Sequence, residues 1–114
     1  MLSFFPPEQF YGNQEYKLCI NPKKKDRILS QFLFRLREGH GKAIYFIGIT
    51  DKGSLYITSL KSIIQSILNF IHIIHKFSTY KIRIFTHNTY IYAIICLHNY
   101  NLTKINDIID YNII

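Results

Sequence analysis

The stretch Arg35-Leu36-Arg37-Glu38-Gly39-His40-Gly41-Lys42-Ala43-Ile44-Tyr45-Phe46-Ile47-Gly48-Ile49-Thr50-Asp51-Lys52-Gly53 carries three structural instructions in a row. A helical pattern runs into Gly39, which predicts a left-handed stop. The apolar run from Lys42 to Ile49 predicts a strand. Asp51-Lys52-Gly53 then predicts a hairpin turn into a further strand over 54–58.

Upstream, residues 15–20 alternate, with Tyr16, Leu18 and Ile20 on one face and Lys17 and Cys19 on the other, as in a half-buried strand. Asn21-Pro22 offers a cap followed by proline at the first helical position. Ile28, Leu29, Phe32, Leu33 and Leu36 then fall at helical spacing. Residues 1–14 read as an irregular lead-in, broken by Pro6-Pro7 and Gly12-Asn13.

Downstream, Ser59 is placed to cap a second helix in which Leu60, Ile63, Ile64, Ile67, Leu68 and Ile71 recur every three or four residues. Residues 79–85 predict a strand with Tyr80, Ile82 and Ile84 opposing Lys81, Arg83 and Phe85. Thr86 to Asn88 turns the chain into a further strand over 90–97. Ile105, Ile108 and Ile109 form the apolar side of a short tail helix over 103–111.

Strand, helix, strand, strand, helix, strand is the order of a ferredoxin-like βαββαβ fold of the α+β class. Two helices are expected on one face of an antiparallel sheet. An extra C-terminal edge strand and the tail helix complete it. One domain is expected over 15–98, between the lead-in at 1–14 and a tail at 99–114.

The 114 residues suffice for one modest core, and an apolar content of 48% excludes disorder throughout. A formal charge of +7 favours a polyanionic partner such as RNA over a merely soluble basic surface. Isoleucine, lysine, asparagine and tyrosine abound while valine and tryptophan are absent, so AT-rich codon usage accounts for part of the lysine excess. Cys19 and Cys96 make neither a C-x-x-C pair nor a disulfide framework. Residues 1–10 hold two prolines and an acid rather than a basic-then-apolar leader. Residues 60–77 are interrupted by polar side chains, which fits a soluble helix and not a membrane span. A cytoplasmic location is expected.

Pro6-Pro7-Glu8 and Gly12-Asn13-Gln14-Glu15-Tyr16-Lys17-Leu18 resemble the lead-in and first strand ahead of the GTPase domain in the GTP-binding protein 1/2 family, translational GTPases related to elongation factor Tu. Leu36, Glu38, Gly39, Gly41, Ala43, Ile44, Tyr45, Ile47, Gly48, Asp51 and Gly53 fit the same family's pattern of Arg-Leu-x-Glu-Gly-x-Gly, Ala-Ile-Tyr-x-Ile-Gly and Asp-x-Gly. The resemblance covers roughly residues 5–60 and implies a translation-related or RNA-related ancestry. It does not bring the engine with it. A phosphate-cradling loop needs G-x-x-x-x-G-K-[ST], and no glycine follows Gly53 in this sequence.

Lys23, Lys24, Lys25 and Arg27, with Arg35 and Arg37 further along the same helix, suggest phosphate contacts whose strength falls with salt. Cations at a helix N-terminus oppose its dipole, so the cluster costs a little stability. The alternative is a solvated helix face. On the sheet face expected to point away from the helices lie Lys17, Cys19, Ile44, Phe46, Tyr56, Lys81 and Arg83. Aromatics among cations there suit base stacking, although the RNP-type signature is absent. The same face suits docking on another protein or on the tail. Only His72 and His75 of the five histidines share a helical turn, and neither a metal site nor a cofactor is expected. The seven acids are scattered, no Ser/His/Asp grouping is legible, and Cys96 reads as inert packing.

The sequence thus predicts a non-catalytic basic protein that binds the ribosome or another structured RNA, as a translation regulator or ribosome-silencing factor. The alternative is a protein-interaction module, or a truncated paralogue of the GTPase without GTP binding. No membrane partner is expected.

Overall fold

Polar side chains start both helices where the sequence places caps. The computed structural model describes residues 4–101. Asn21 accepts a hydrogen bond from the Lys23 N–H, and a 3-10 turn over Pro22–Lys24 leads into α1, Lys25–Glu38. Ser59 accepts from Ser62 N–H at 3.1 Å and opens α2, Leu60–Ile74. Such a cap is worth about 1 kcal/mol. The strands are β1 (Gln14–Lys17), β2 (Lys42–Ile47), β3 (Thr79–His87) and β4 (Tyr90–His98).

These form one four-stranded mixed sheet in the order β1-β2-β4-β3, with two helices on one face. The α+β class and the two-layer arrangement are as expected. Three details are corrected. First, β1 pairs directly and in parallel with β2, so the sheet is not antiparallel throughout and the parallel pair is not split by another strand. Second, residues 54–58 do not make a strand: the turn closes with Thr50 N–H on Ser54 O and Tyr56 N–H on Gly48 O, around one bridge between Ile49 and Leu55. Third, β4 is not an edge strand. It pairs with both β2 and β3, and β3 takes the margin. The expected tail helix at 103–111 lies outside the described residues.

The main core lies between the helices and the sheet. Phe32 and Leu36 of α1, Ile63, Phe70 and Ile74 of α2, and Ala43, Tyr45, Ile47, Ala93, Ile95 and Leu97 of β2 and β4 fill it. The Tyr45 ring lies 4.4 Å from that of Phe70.

The alternation of β1 is offset by one residue from expectation. Glu15 and Lys17 turn toward α1, where Glu15 meets Arg35 and Lys17 donates to Gln31. Tyr16 turns to the outer face, against Phe46. Because side chains alternate with period two, a shift of one residue exchanges the faces of the whole strand. Ile20 still reaches the main core because the strand has ended at Lys17. Its N–H donates to Ser66 Oγ and its carbonyl accepts from Asn69, which draws the chain off the sheet toward α2.

The lead-in is part of the packing. Phe4 and Phe5 N–H groups both donate to Gly53 O, and the Phe5 ring lies 5.2 Å from Phe46 and 5.6 Å from Tyr92 on the outer face. Gly53, at φ +86°, admits this approach: a Cβ there would sit 2.0 Å from Phe5 O. Gly39 works differently from expectation. Its φ is −97°, and the left-handed positions are His40 and Gly41. Gly39 is needed because a Cβ would lie 1.8 Å from Lys42 O.

Candidate nucleic-acid interface

Lys23, Lys24, Lys25 and Arg27 all stand exposed around the start of α1, with Asp26 among them. None forms an ion pair among the described residues, where Arg35–Glu15 is the one such pair. The four charges are held together by the Asn21 cap and the 3-10 turn, which compress them into little more than one helical turn. Asp26 in that turn offsets part of their conflict with the helix dipole.

The remaining predicted site residues do not join them. Arg37 is exposed in the last turn of α1, roughly 18 Å along the axis from Lys25 at 1.5 Å per residue. Arg35 is buried. It donates to Glu15 at 3.2 Å and to the carbonyls of Gln9, Tyr11 and Gly12 at 2.9 to 3.0 Å, so it fastens the lead-in to α1 and offers nothing to a ligand. Lys17 faces the helix layer, as its bond to Gln31 requires. Phe46 is buried under Phe5 and Tyr16, and so presents no free ring for stacking. Tyr56 is exposed just past the hairpin.

Lys81 and Arg83 do lie on the outer face, opposite Cys96 and Ile94 of β4. With them the structure brings in Lys42, exposed at the start of β2 on the same side as Ile44 and Phe46. A shallow depression of about 490 Å³ is lined by Lys42, Ile44, Lys81, Cys96, His98 and Tyr100 among others. Arg83, Phe85 and Ile94 border a second hollow beside it. Lys42 shares the parity of Ile44 and Phe46, so the alternation that placed those residues was sufficient to find it. Cys96 is exposed on this floor, which corrects its reading as inert packing; Cys19 is exposed as well.

The two basic groups therefore occupy opposite layers, with the sheet between them. One is a compact knob at the start of α1. The other is an open floor on the far side.

Beside the lead-in, Glu8 accepts from the Tyr16 N–H. Burial, and then a hydrogen bond with the Glu15 carboxyl, raise its pKa to about 7, against the lowering effect of the Tyr16 N–H. The Tyr45 hydroxyl is buried and has no hydrogen-bond partner among the described residues, and its burial pushes the phenol well above its ordinary value. The His72 and His75 rings are 6.2 Å apart, and no group of three or more potential metal ligands occurs among the described residues. No described helix is long and apolar enough to cross a membrane.

Over 55 residues the chain is 44% identical to GTP-binding protein 2 of Mus musculus, and equally to GTP-binding protein 2 of Homo sapiens. The match supports a relation to that family. It covers 46% of this chain but only 9% of each relative, so the chain spans a small fraction of the length of the proteins it resembles. No family model matches the chain.

Proposed function

We propose that the chain is a non-catalytic basic protein that binds the ribosome or another structured RNA, using a domain related to part of a translational GTPase. The observation that carries this reading is the exposed cluster Lys23, Lys24, Lys25 and Arg27, crowded into the turn that starts α1 and without an ion pair among the described residues. Like charges at a helix N-terminus cost a few tenths of a kcal/mol to about 1 kcal/mol, and a phosphate backbone laid against them turns the cost into binding. A role as translation regulator or ribosome-silencing factor follows by analogy with the relatives' class.

Replacing all four with Gln tests it. In fluorescence anisotropy with a structured RNA, the slope of log affinity against log salt should fall by about 3, since each neutralised phosphate contributes a little under one. Wild-type protein in cell extract should comigrate with ribosomes in low salt and detach in high salt. An unchanged affinity would leave the cluster as a solvated surface. Nucleotide turnover by the purified chain would end the non-catalytic reading. A second reading, a protein-interaction module, is favoured by β3 having β4 as its one strand neighbour among the described residues.

A further inference from the structure

The two margins of the sheet are finished differently. On one, β1 is four residues long, and the Tyr16 N–H is taken up by the Glu8 carboxylate. On the other, β3 runs nine residues with β4 as its one neighbour among the described residues. A margin of this kind carries a row of backbone donors and acceptors ready to pair with another strand.

The side chains of β3 are sorted by face. Tyr80, Ile82 and Ile84 stand opposite Leu97, Ile95 and Ala93, which places them on the helix side. Yet they remain 44%, 36% and 43% exposed, because α2 packs over β4 and β2 and stops short of the margin. Lys81 and Arg83 occupy the outer face, both exposed. No aspartate or glutamate occurs between Lys52 and Asn101, and among the described residues neither cation forms an ion pair.

We propose that the open margin of β3 receives an extended peptide segment, from a partner protein, in which apolar and acidic side chains alternate. Its backbone would extend the sheet by one strand. Its apolar residues would lie beside Tyr80, Ile82 and Ile84, and its acids beside Lys81 and Arg83. Alternation sets the register, since a slip of one residue would turn every acid onto the apolar face. A second copy of this chain fits poorly. Pairing β3 with itself in antiparallel register sets Arg83 against the Arg83 of the other copy at full overlap, or Lys81 against Arg83 when the pair is centred on Ile82. The inference is independent of the RNA reading, whose cluster lies on α1.

The test uses the full chain and a fluorescein-labelled peptide of about ten residues, long enough to match β3, with strict Val-Glu alternation. A peptide of the same composition, with its valines and glutamates in separate blocks, is the control. The alternating peptide should bind about tenfold more tightly than the blocked one, in line with a cost for each misplaced charge. Lys81→Glu with Arg83→Glu should reverse the preference, so that a Val-Lys alternating peptide binds in place of the Val-Glu one. Equal binding of the alternating and blocked peptides would show charge attraction alone and overturn the proposal. So would an unchanged preference in the reversed variant. A dimer in sedimentation with β3 amides protected from exchange would give the margin to a second copy. Protection of those amides in a monomer would give it to the chain's own residues. Either result overturns the proposal. RNA affinity measured on the same variant separates this surface from the α1 cluster.

Discussion

Arg35 and Glu15 form a buried ion pair at 3.2 Å, and through it α1, β1 and the lead-in are joined at one point. The guanidinium also donates to three backbone carbonyls of the lead-in. Removing the cation therefore strands a buried carboxylate and three acceptors together. Arg35→Met should lower stability by about 3 to 5 kcal/mol in urea unfolding. Arg35→Lys should recover little, because one ammonium cannot reproduce a planar fork of five donors. A near-neutral Arg35→Met would show that the lead-in does not depend on this pair.

Glu8 gives the fold a pH dependence of unusual sign for an acid. Its folded pKa, about 7, is above the ordinary 4.5, so the protonated form is favoured by folding. That stability is fully present below the ordinary value and is lost as pH rises through about 7. Glu8→Gln keeps an acceptor for the Tyr16 N–H and removes the titration. The difference in unfolding midpoint between wild type and Glu8→Gln should therefore shift against wild type from roughly pH 5 to pH 8. Parallel curves would place the titration elsewhere.

The Tyr45 hydroxyl is buried without a partner among the described residues. Tyr45→Phe keeps the ring against Phe32 and Phe70 and deletes the stranded group. The variant should match wild type or exceed it by about 1 kcal/mol in chemical unfolding. A clear loss of stability would reveal a partner for the hydroxyl in solution.

Two glycines separate steric from conformational need. At Gly39 a Cβ would lie 1.8 Å from Lys42 O and 2.6 Å from Asn13 Cβ, while at Gly12 nothing lies within 4 Å and only φ +86° is unfavourable. Gly12→Ala should cost about 1 to 2 kcal/mol. Gly39→Ala should cost more, about 3 kcal/mol, since backbone must move. The ranking of the two unfolding midpoints checks this directly.

The elements themselves were legible because their causes are local. Asn21-Pro22 and Ser59 announce the helix starts, and helical spacing identifies Ile28, Phe32, Leu36, Ile63, Ile67 and Phe70 as helix faces. Strand order was less visible, although residues 90–97 are nearly all apolar while residues 80–84 alternate with cations. That contrast marks a central strand beside one at a margin. The parity of β1 was misread because Leu18 and Ile20 extend its alternation past Lys17, where the strand actually ends. For the site, the α1 cluster was legible as a run of charges. The burial of Arg35 was not, since its partners Gln9, Tyr11, Gly12 and Glu15 are distant in sequence.

The unequal finish of the sheet's margins also limits how far assembly by strand pairing can proceed. With Glu8 occupying the Tyr16 N–H on one side, each molecule can donate a single seam. A unit with one seam ends a stack rather than propagating it, so stacking of these domains into fibrils is disfavoured from the β1 side even though β3 is long and, among the described residues, paired on one side alone.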